Sequence, residues 1–170
     1  MGRVVLAAGN TFTVDFYGDG LVNLAVEDAV AELVTGVDGS TLDALVTNSG
    51  TIQADGGSVL LTVNTATDIV DNVISMNGII EARTAFESEG EIVLMGGSDG
   101  IVSVAGTLDA SGDDAGESGG TVKVLGDKVG LFAGAEIDVS GQAGGGTALI
   151  GGNFQGGGEE QNASRTLVAE

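Results

Sequence analysis

The chain has 170 residues and a formal net charge of −20, because 25 Asp and Glu are set against only 5 Lys and Arg. A charge of this sign repels phosphate backbones and anionic membranes, so we expect no nucleic-acid partner. The absence of Cys and His excludes disulfides, thiol nucleophiles, histidine acid–base catalysis and the usual zinc ligands.

Two strands are predicted near the start of the chain. Residues 10–17 alternate apolar and polar side chains, and the Gly-Asp-Gly sequence at 18–20 is typical of a turn. Leu24 lies in the apolar run that follows, 28 residues before Ile52. That spacing predicts an early coil that aligns Leu24 with Ile52. Residues 27–34 then depart from the pattern, and either a short helix or an irregular loop with a strand fits them.

A repeat of 28 residues organises the middle of the chain. A fixed period of this size indicates a repeat architecture, in which each unit buries its apolar face on its neighbours. Such a unit is too short for a separate domain, but it suits one coil of a parallel β-solenoid. The glycines that open the repeats are Gly50, Gly78, Gly106 and Gly134.

Alternate residues of a strand face opposite sides of its sheet, so each repeat predicts which side chains are buried. Two apolar positions are expected to face the interior: Ile52, Ile80, Leu108 and Ile137 at the first, and Ala54, Ala82, Ala110 and Val139 at the second. The polar position between them is expected to face outward, and it is occupied by Gln53, Glu81, Asp109 and Asp138.

Three strands are predicted in each coil of about 28–30 residues, and roughly five coils fit in the chain. Longer corner sequences at 83–90 and 111–119 are expected to be loops outside the stacked rows. The predicted strands are 51–54, 58–63 and 72–75, then 79–82, 91–95 and 101–104, then 107–110, 121–125 and 129–132, and finally 136–139, 147–150 and 165–168.

Residues 1–170 are therefore predicted to form a single all-β solenoid segment. The first residues run directly into Val4-Val-Leu-Ala-Ala without a secretion signal, and a strand pattern begins again at Arg165. We expect the segment to be a fragment of a much longer repeat protein. No apolar run approaches the length of a membrane-spanning segment.

Several Gly-punctuated motifs follow one another in a characteristic order. They are Asp-Phe-Tyr-Gly-Asp-Gly-Leu-Val-Asn-Leu-Ala-Val at 15–26, Asn-Ser-Gly-Thr-Ile-Gln-Ala-Asp-Gly-Gly at 48–57, Asn-Gly-Ile-Ile-Glu-Ala at 77–82, Gly-Gly-Thr-Val-Lys-Val-Leu-Gly-Asp-Lys-Val-Gly at 119–130, and Gly-Gly-Asn-Phe-Gln-Gly at 151–156 with Asn-Ala-Ser-Arg-Thr at 162–166. In this order, over nearly the whole chain, they resemble the filamentous-haemagglutinin-type exoproteins of Gram-negative bacteria.

The resemblance implies a right-handed parallel β-helix that is secreted across the outer membrane by a partner pore protein, in two-partner secretion. It implies a role in adhesion or surface display at the bacterial cell surface, toward an unspecified receptor or glycan, and it implies no catalytic residues. The amino-terminal secretion domain expected of a whole exoprotein is missing, so we expect this segment to be part of the shaft.

The outward acidic column of Glu81, Asp109 and Asp138 is the first candidate site. Hard cations prefer several carboxylate oxygens, so the column could attract Ca²⁺, although we favour a solvated charged face. Asp113, Asp114 and Glu117 crowd one Gly-rich loop, but the spacing is not that of an EF-hand. The single Gly-Gly-Ser-Asp-Gly sequence at 96–100 does not form a tandem calcium repeat. We therefore assign no metal, cofactor or catalytic residue and leave a Ca²⁺ site as the alternative.

Two other classes of function stay open. A polysaccharide-binding or polysaccharide-cleaving β-helix is the alternative, although paired carboxylates have little specificity among 25 acids and aromatic residues are only 4%. An intracellular solenoid scaffold is the third. An uncovered solenoid end exposes strand edges, so we also expect either a covering element, such as residues 27–40, or end-to-end self-association.

Overall fold

The computed structural model describes residues 2–15, 23–28, 35–64, 72–85 and 88–170. Within these ranges the chain forms parallel sheets of stacked strands and no α-helix, which confirms the predicted β-solenoid. In the same ranges, no helix is long or apolar enough to cross a membrane.

Three parallel sheets form the sides of the solenoid. The first sheet contains β1 (Arg3–Ala8), β6 (Ser58–Val63), β9 (Glu91–Met95), β12 (Thr121–Leu125) and β15 (Thr147–Ile150). The second contains β4 (Ala44–Asn48), β7 (Asn72–Met76), β10 (Ile101–Val104), β13 (Lys128–Leu131) and β16 (Arg165–Val168). The third contains β5 (Thr51–Gln53), β8 (Ile79–Glu81), β11 (Thr107–Asp109) and β14 (Glu136–Asp138).

Successive strands visit the three sheets in turn, which confirms three strands per coil. Three turns, β6–β8, β9–β11 and β12–β14, each contribute one strand to every one of the three sheets, and partial turns flank them on both sides. Two of the sheets have five strands and the third has four, so the structure amounts to about three full turns with partial turns at both ends, where roughly five coils were predicted. The predicted strands from residue 51 onward all exist, and no bound differs from the prediction by more than one residue.

The two apolar columns that the repeat predicts lie in the core, together with alternate apolar residues of the first and second sheets. In the third sheet the register aligns Ile52 with Ile80, Ile80 with Leu108, and Leu108 with Ile137. Ile80 and Leu108 are fully buried, whereas Ile52 and Ile137 in the outer coils are half-buried. Burial of each such side chain stabilises the fold by about 1.5–3 kcal/mol, so the middle coils supply most of the core.

A column of glycines lines the corner that precedes the first sheet. The register of that sheet places these glycines directly above one another: Gly2, Gly57, Gly90, Gly120 and Gly146. A Cβ atom added to Gly120 would collide with the carbonyl oxygen of Gly90 in the coil below. Only glycine allows the backbones to approach this closely at the corner.

The predicted early coil around Leu24 is wrong. Leu24 pairs with Val14 in an antiparallel hairpin of β2 (Thr11–Asp15) and β3 (Asn23–Asp28), so it does not align with Ile52. A hairpin forms from strands that are close in sequence, and its members need no partner in a neighbouring coil. The turn predicted at 18–20 lies outside the described residues. Of the stretch 27–34, for which a short helix or an irregular loop with a strand was predicted, Glu27 and Asp28 are the end of β3 and residues 29–34 lie outside the described residues.

Gly134 is not equivalent to Gly106, although the spacing predicts it. Glu136 aligns with Thr107, so Ala135 occupies the position of Gly106. Gly134 is one extra residue in the preceding turn. Its φ is 92°, and glycine adopts such a positive φ more readily than any other residue.

Candidate functional site

The outward polar column exists as the repeat predicts. Gln53 pairs with Glu81 in the next coil, Glu81 with Asp109, and Asp109 with Asp138. Carboxylates stacked in this way repel one another, so the arrangement needs either water or a cation to balance its charge.

Arg83 supplies that cation from within the chain. Its Nε lies 2.7 Å from Oδ2 of Asp109, and its Nη2 lies 3.2 Å from Oε1 of Glu81. Its Nη1 lies 3.9 Å from Oδ2 of Asp113, in the loop that follows β11. One guanidinium therefore joins two successive coils and a corner loop.

The prediction of a water-exposed column is wrong for Asp109, which is only 9% exposed. Burial acts to raise the pKa of Asp109, but hydrogen bonds from Ser111 and Arg83 outweigh it and hold that pKa below its ordinary value of 3.8. The hydrogen bond that Arg83 donates to the Asp109 carboxylate, together with the negative charges of Asp109, Glu81 and Asp113, raises the pKa of Arg83. Asp109 and Arg83 are therefore a charged pair at neutral pH.

The two ends of the acidic loop at 111–119 continue the stacking of the coils, whereas residues 113–116 in its middle are exposed. Gly112 and Ser118 form parallel bridges to Gly141 and Gly144 in the next coil. The Thr84 hydroxyl donates a 2.7 Å hydrogen bond to the Ser118 carbonyl. Contacts with the preceding coil and with the next coil therefore both hold this corner in place.

The three acids of this loop differ in their surroundings. Asp113 and Asp114 are exposed, whereas Glu117 is buried, and its Oε2 accepts a 3.1 Å hydrogen bond from the Asp114 backbone N–H. Glu117 therefore closes its own loop, as a capping side chain does.

A shallow groove of about 240 Å³ lies between the loop and the corner after β8. Four carboxylates and one guanidinium contribute to its walls, so it is predominantly acidic. The charged residues are Asp55, Arg83, Asp113, Asp114 and Glu117.

The carboxylates of this groove are not arranged as a set of Ca²⁺ ligands. Within the described part of the chain, no three Asp or Glu residues come together in a way that could hold a metal ion. The sequence 96–100 forms a corner between β9 and β10. The Asp99 carboxylate there accepts a 2.7 Å hydrogen bond from the Ser98 hydroxyl.

Arg83 is the residue that the sequence analysis missed, because 83–90 was treated only as an insertion. A signal was present: Arg83 lies two positions after Glu81, and it is one of only 5 basic residues. Two positions along an extended chain return to the same side, where the acidic column runs.

No protein-family model matches the chain, and no curated protein matches it either. The function is therefore argued from the architecture and its surface.

Proposed function

We propose that the chain is a structural and adhesive β-helix segment of a secreted bacterial surface exoprotein, of the filamentous-haemagglutinin type with two-partner secretion. The observation that carries the proposal is the stack of three turns, each with a strand in all three sheets, on continuous apolar columns. An architecture of this kind makes contacts mainly between neighbouring coils, which suits a stiff rod.

The surface supports a role in display. The chain has a net charge of −20, and acidic surfaces keep extended proteins soluble and separate from one another. The proposed partners are an outer-membrane pore for the parent protein and a receptor or glycan on a host or neighbouring cell. End-to-end self-association, through the unpaired edges of the outermost strands, belongs to the same proposal.

Adhesion is tested with beads that carry the folded chain covalently and flow over epithelial and bacterial cells. Beads with the folded chain should be retained under shear, and beads with heat-unfolded chain should not. Equal retention of both preparations, or of neither, contradicts the adhesive part of the proposal.

Localisation is tested with an antibody against the chain, applied to intact cells of the source bacterium and to the culture medium. Secretion predicts labelling of intact cells or of the medium. Labelling that requires permeabilised cells supports the intracellular scaffold instead.

A polysaccharide-cleaving β-helix is the alternative, and it differs from the proposal in one measurable product. Incubation of the chain with neutral and acidic polysaccharides should release no reducing ends. Release that disappears with a carboxylate variant such as Asp114→Asn would replace the proposed function with a hydrolase or lyase.

A further inference from the structure

The third sheet has one strand fewer than the other two. It contains four strands, whereas the first and second sheets contain five and extend one strand further, to β15 and β16. In the part of the chain that the structure describes, β14 pairs with β11 on one side and with no strand on the other. β14 is therefore an edge strand that lies in a step between two longer sheets.

The open side of β14 carries backbone groups that are aligned for another parallel strand. The Glu136 N–H donates a 3.1 Å hydrogen bond to the Gly106 carbonyl, and the Asp138 carbonyl accepts one of 2.8 Å from the Ala110 N–H. Because successive residues of a strand direct their backbone groups to opposite sides, the N–H and C=O of Ile137 face the open side. Unpaired groups of this kind are a template for an added strand.

An apolar groove of about 360 Å³ lies beside this edge. Its apolar walls come from β13 and the corner that follows, from β14 and from β16: Leu131, Phe132, Ala135, Ile137 and Val168. Val168 is 72% exposed, although it continues an interior column in which Val104 is fully buried. The groove is therefore an uncovered part of the core, and an apolar side chain from an added strand would fill it.

The outward side of the same edge is acidic. Among the described residues, neither Glu136 nor Asp138 forms an ion pair. The Asp138 carboxylate accepts a 2.8 Å hydrogen bond from the Ser140 N–H in its own turn. In the two preceding coils of this column, Arg83 neutralises both carboxylates. A basic side chain on an added strand would do the same for Asp138.

We propose that β14 binds an extended segment of another protein, in which basic and apolar side chains alternate, as a fifth strand of the third sheet. In register with β14, two basic side chains lie beside Glu136 and Asp138, where opposite charges on neighbouring strands attract. The apolar side chains between and after them stack on Ile137 and Val139. Backbone hydrogen bonds supply affinity in this mode of binding, and the alternate side chains supply specificity.

Charge favours another protein over a second copy of this chain as the occupant. The strand that a copy presents at the opposite end of the third sheet is β5, which has no basic residue and is followed by Asp55. Each copy also carries a charge of −20, so two copies repel each other. A basic segment should therefore displace a copy from this edge. The inference goes beyond the proposed function, because strand addition requires neither adhesion nor secretion.

Fluorescence anisotropy tests the proposal, with a labelled nine-residue peptide that has Lys-Ile-Lys-Val at its centre and with the 170-residue chain. One control peptide has Glu-Ile-Glu-Val instead. The other is the Lys peptide with a methyl group on the backbone nitrogen of its second Lys. Residues at this position donate to the preceding coil, as the Thr107 N–H does to the Gly78 carbonyl, so the methyl group removes the donor to Ile137. We expect the Lys peptide to bind about tenfold or more tightly than either control.

Three variants separate charge at the edge from charge elsewhere. Asp138→Asn keeps the oxygen that accepts from Ser140 and should weaken binding of the Lys peptide by about two- to fivefold. Asp99→Asn is the matched control: it makes the same charge change at an exposed corner between β9 and β10, and it should leave binding unchanged. Val168→Asn removes an exposed apolar wall of the groove, so it should weaken binding by about threefold or more without unfolding the chain.

Amide exchange measured by NMR identifies the bound geometry. Exchange of the Ile137 amide should slow when the Lys peptide binds, because that N–H then donates to the added strand. The proposal is overturned if this amide is unaffected, if the methylated peptide binds as tightly as the Lys peptide, or if Asp138→Asn and Asp99→Asn have equal effects. Sedimentation of the chain as oligomers that the Lys peptide does not dissociate would assign the edge to a second copy and also overturn it.

Discussion

The Arg83 guanidinium donates a 2.7 Å hydrogen bond to the Asp109 carboxylate, which lies one coil further along the solenoid. Arg83 also reaches Glu81 in its own coil, at 3.2 Å. A column of like charges, which would repel between coils, is thereby converted into a contact that joins them.

Arg83→Met should lower the free energy of unfolding by about 1–3 kcal/mol, because the largely buried Asp109 loses its charged partner. Urea unfolding followed by circular dichroism measures the change. Lys128→Met is the matched control. It removes an ion pair with Asp127 in which the lysine is half exposed, and pairs of this kind contribute about 0–1 kcal/mol. Equal effects of the two substitutions would contradict a special role for Arg83.

The stability should depend on pH through Asp109. Its pKa is lower in the folded state than the ordinary value of 3.8, so the unfolded chain binds the proton more tightly. The contribution is therefore complete above about pH 5 and is lost as the pH falls through 3.8 and below. Asp109→Asn should be less stable than the parent at neutral pH, and the gap should narrow between about pH 5 and pH 3. Urea unfolding at several pH values measures this difference in stability. A difference that stays constant between about pH 5 and pH 3 would show that Asp109 is not the source of the pH dependence.

Gly120→Ala should destabilise the fold by about 1–3 kcal/mol, because its Cβ atom would push against the Gly90 carbonyl oxygen in the coil below. Gly50→Ala is the control, since a Cβ atom at that corner glycine meets nothing within 4 Å. Its effect should stay within about 0.5 kcal/mol. The thermal unfolding of both variants is measured. If Gly120→Ala is as stable as the parent chain, the backbones of neighbouring coils can move apart at this corner.

Calcium should have little effect on thermal stability. The melting temperature in EDTA should equal that in about 5 mM calcium chloride, a concentration above the Kd of typical extracellular calcium modules. The physical reason is that Glu117 bonds within its own loop and Arg83 already compensates the acidic column. A rise in melting temperature that Asp114→Asn abolishes would restore the 111–119 loop as a cation site.

The coils from residue 51 onward could be predicted because burial imposes the same alternation in every repeat. Ile80 and Leu108 occupy equivalent positions in successive coils and are both buried, so the spacing between them reveals the register of the strands. The hairpin around Leu24 could not be separated from this pattern, since its spacing from Ile52 matches the repeat by coincidence. The strand β1 was not predicted, because a short apolar run has no repeat partner at the regular distance.

The site was harder to predict than the fold. The acidic column follows from the repeat, but the burial of Asp109 depends on Arg83, which lies in a corner outside the repeated pattern. The hydrogen bond from Gln161 to the Gly97 carbonyl likewise joins residues 64 positions apart in the sequence. No periodic signal encodes contacts of this kind.

The pairing of β1 with β6 has a consequence for the order of folding. Arg3 pairs with Ser58, so this contact closes a loop of about 55 residues, about twice the separation between neighbouring coils elsewhere, which adds about 0.6 kcal/mol of chain entropy. The middle coils, with shorter loops and fully buried Ile80 and Leu108, should assemble first and serve as a template. The first strand would then dock late, onto an edge that its neighbours have already built.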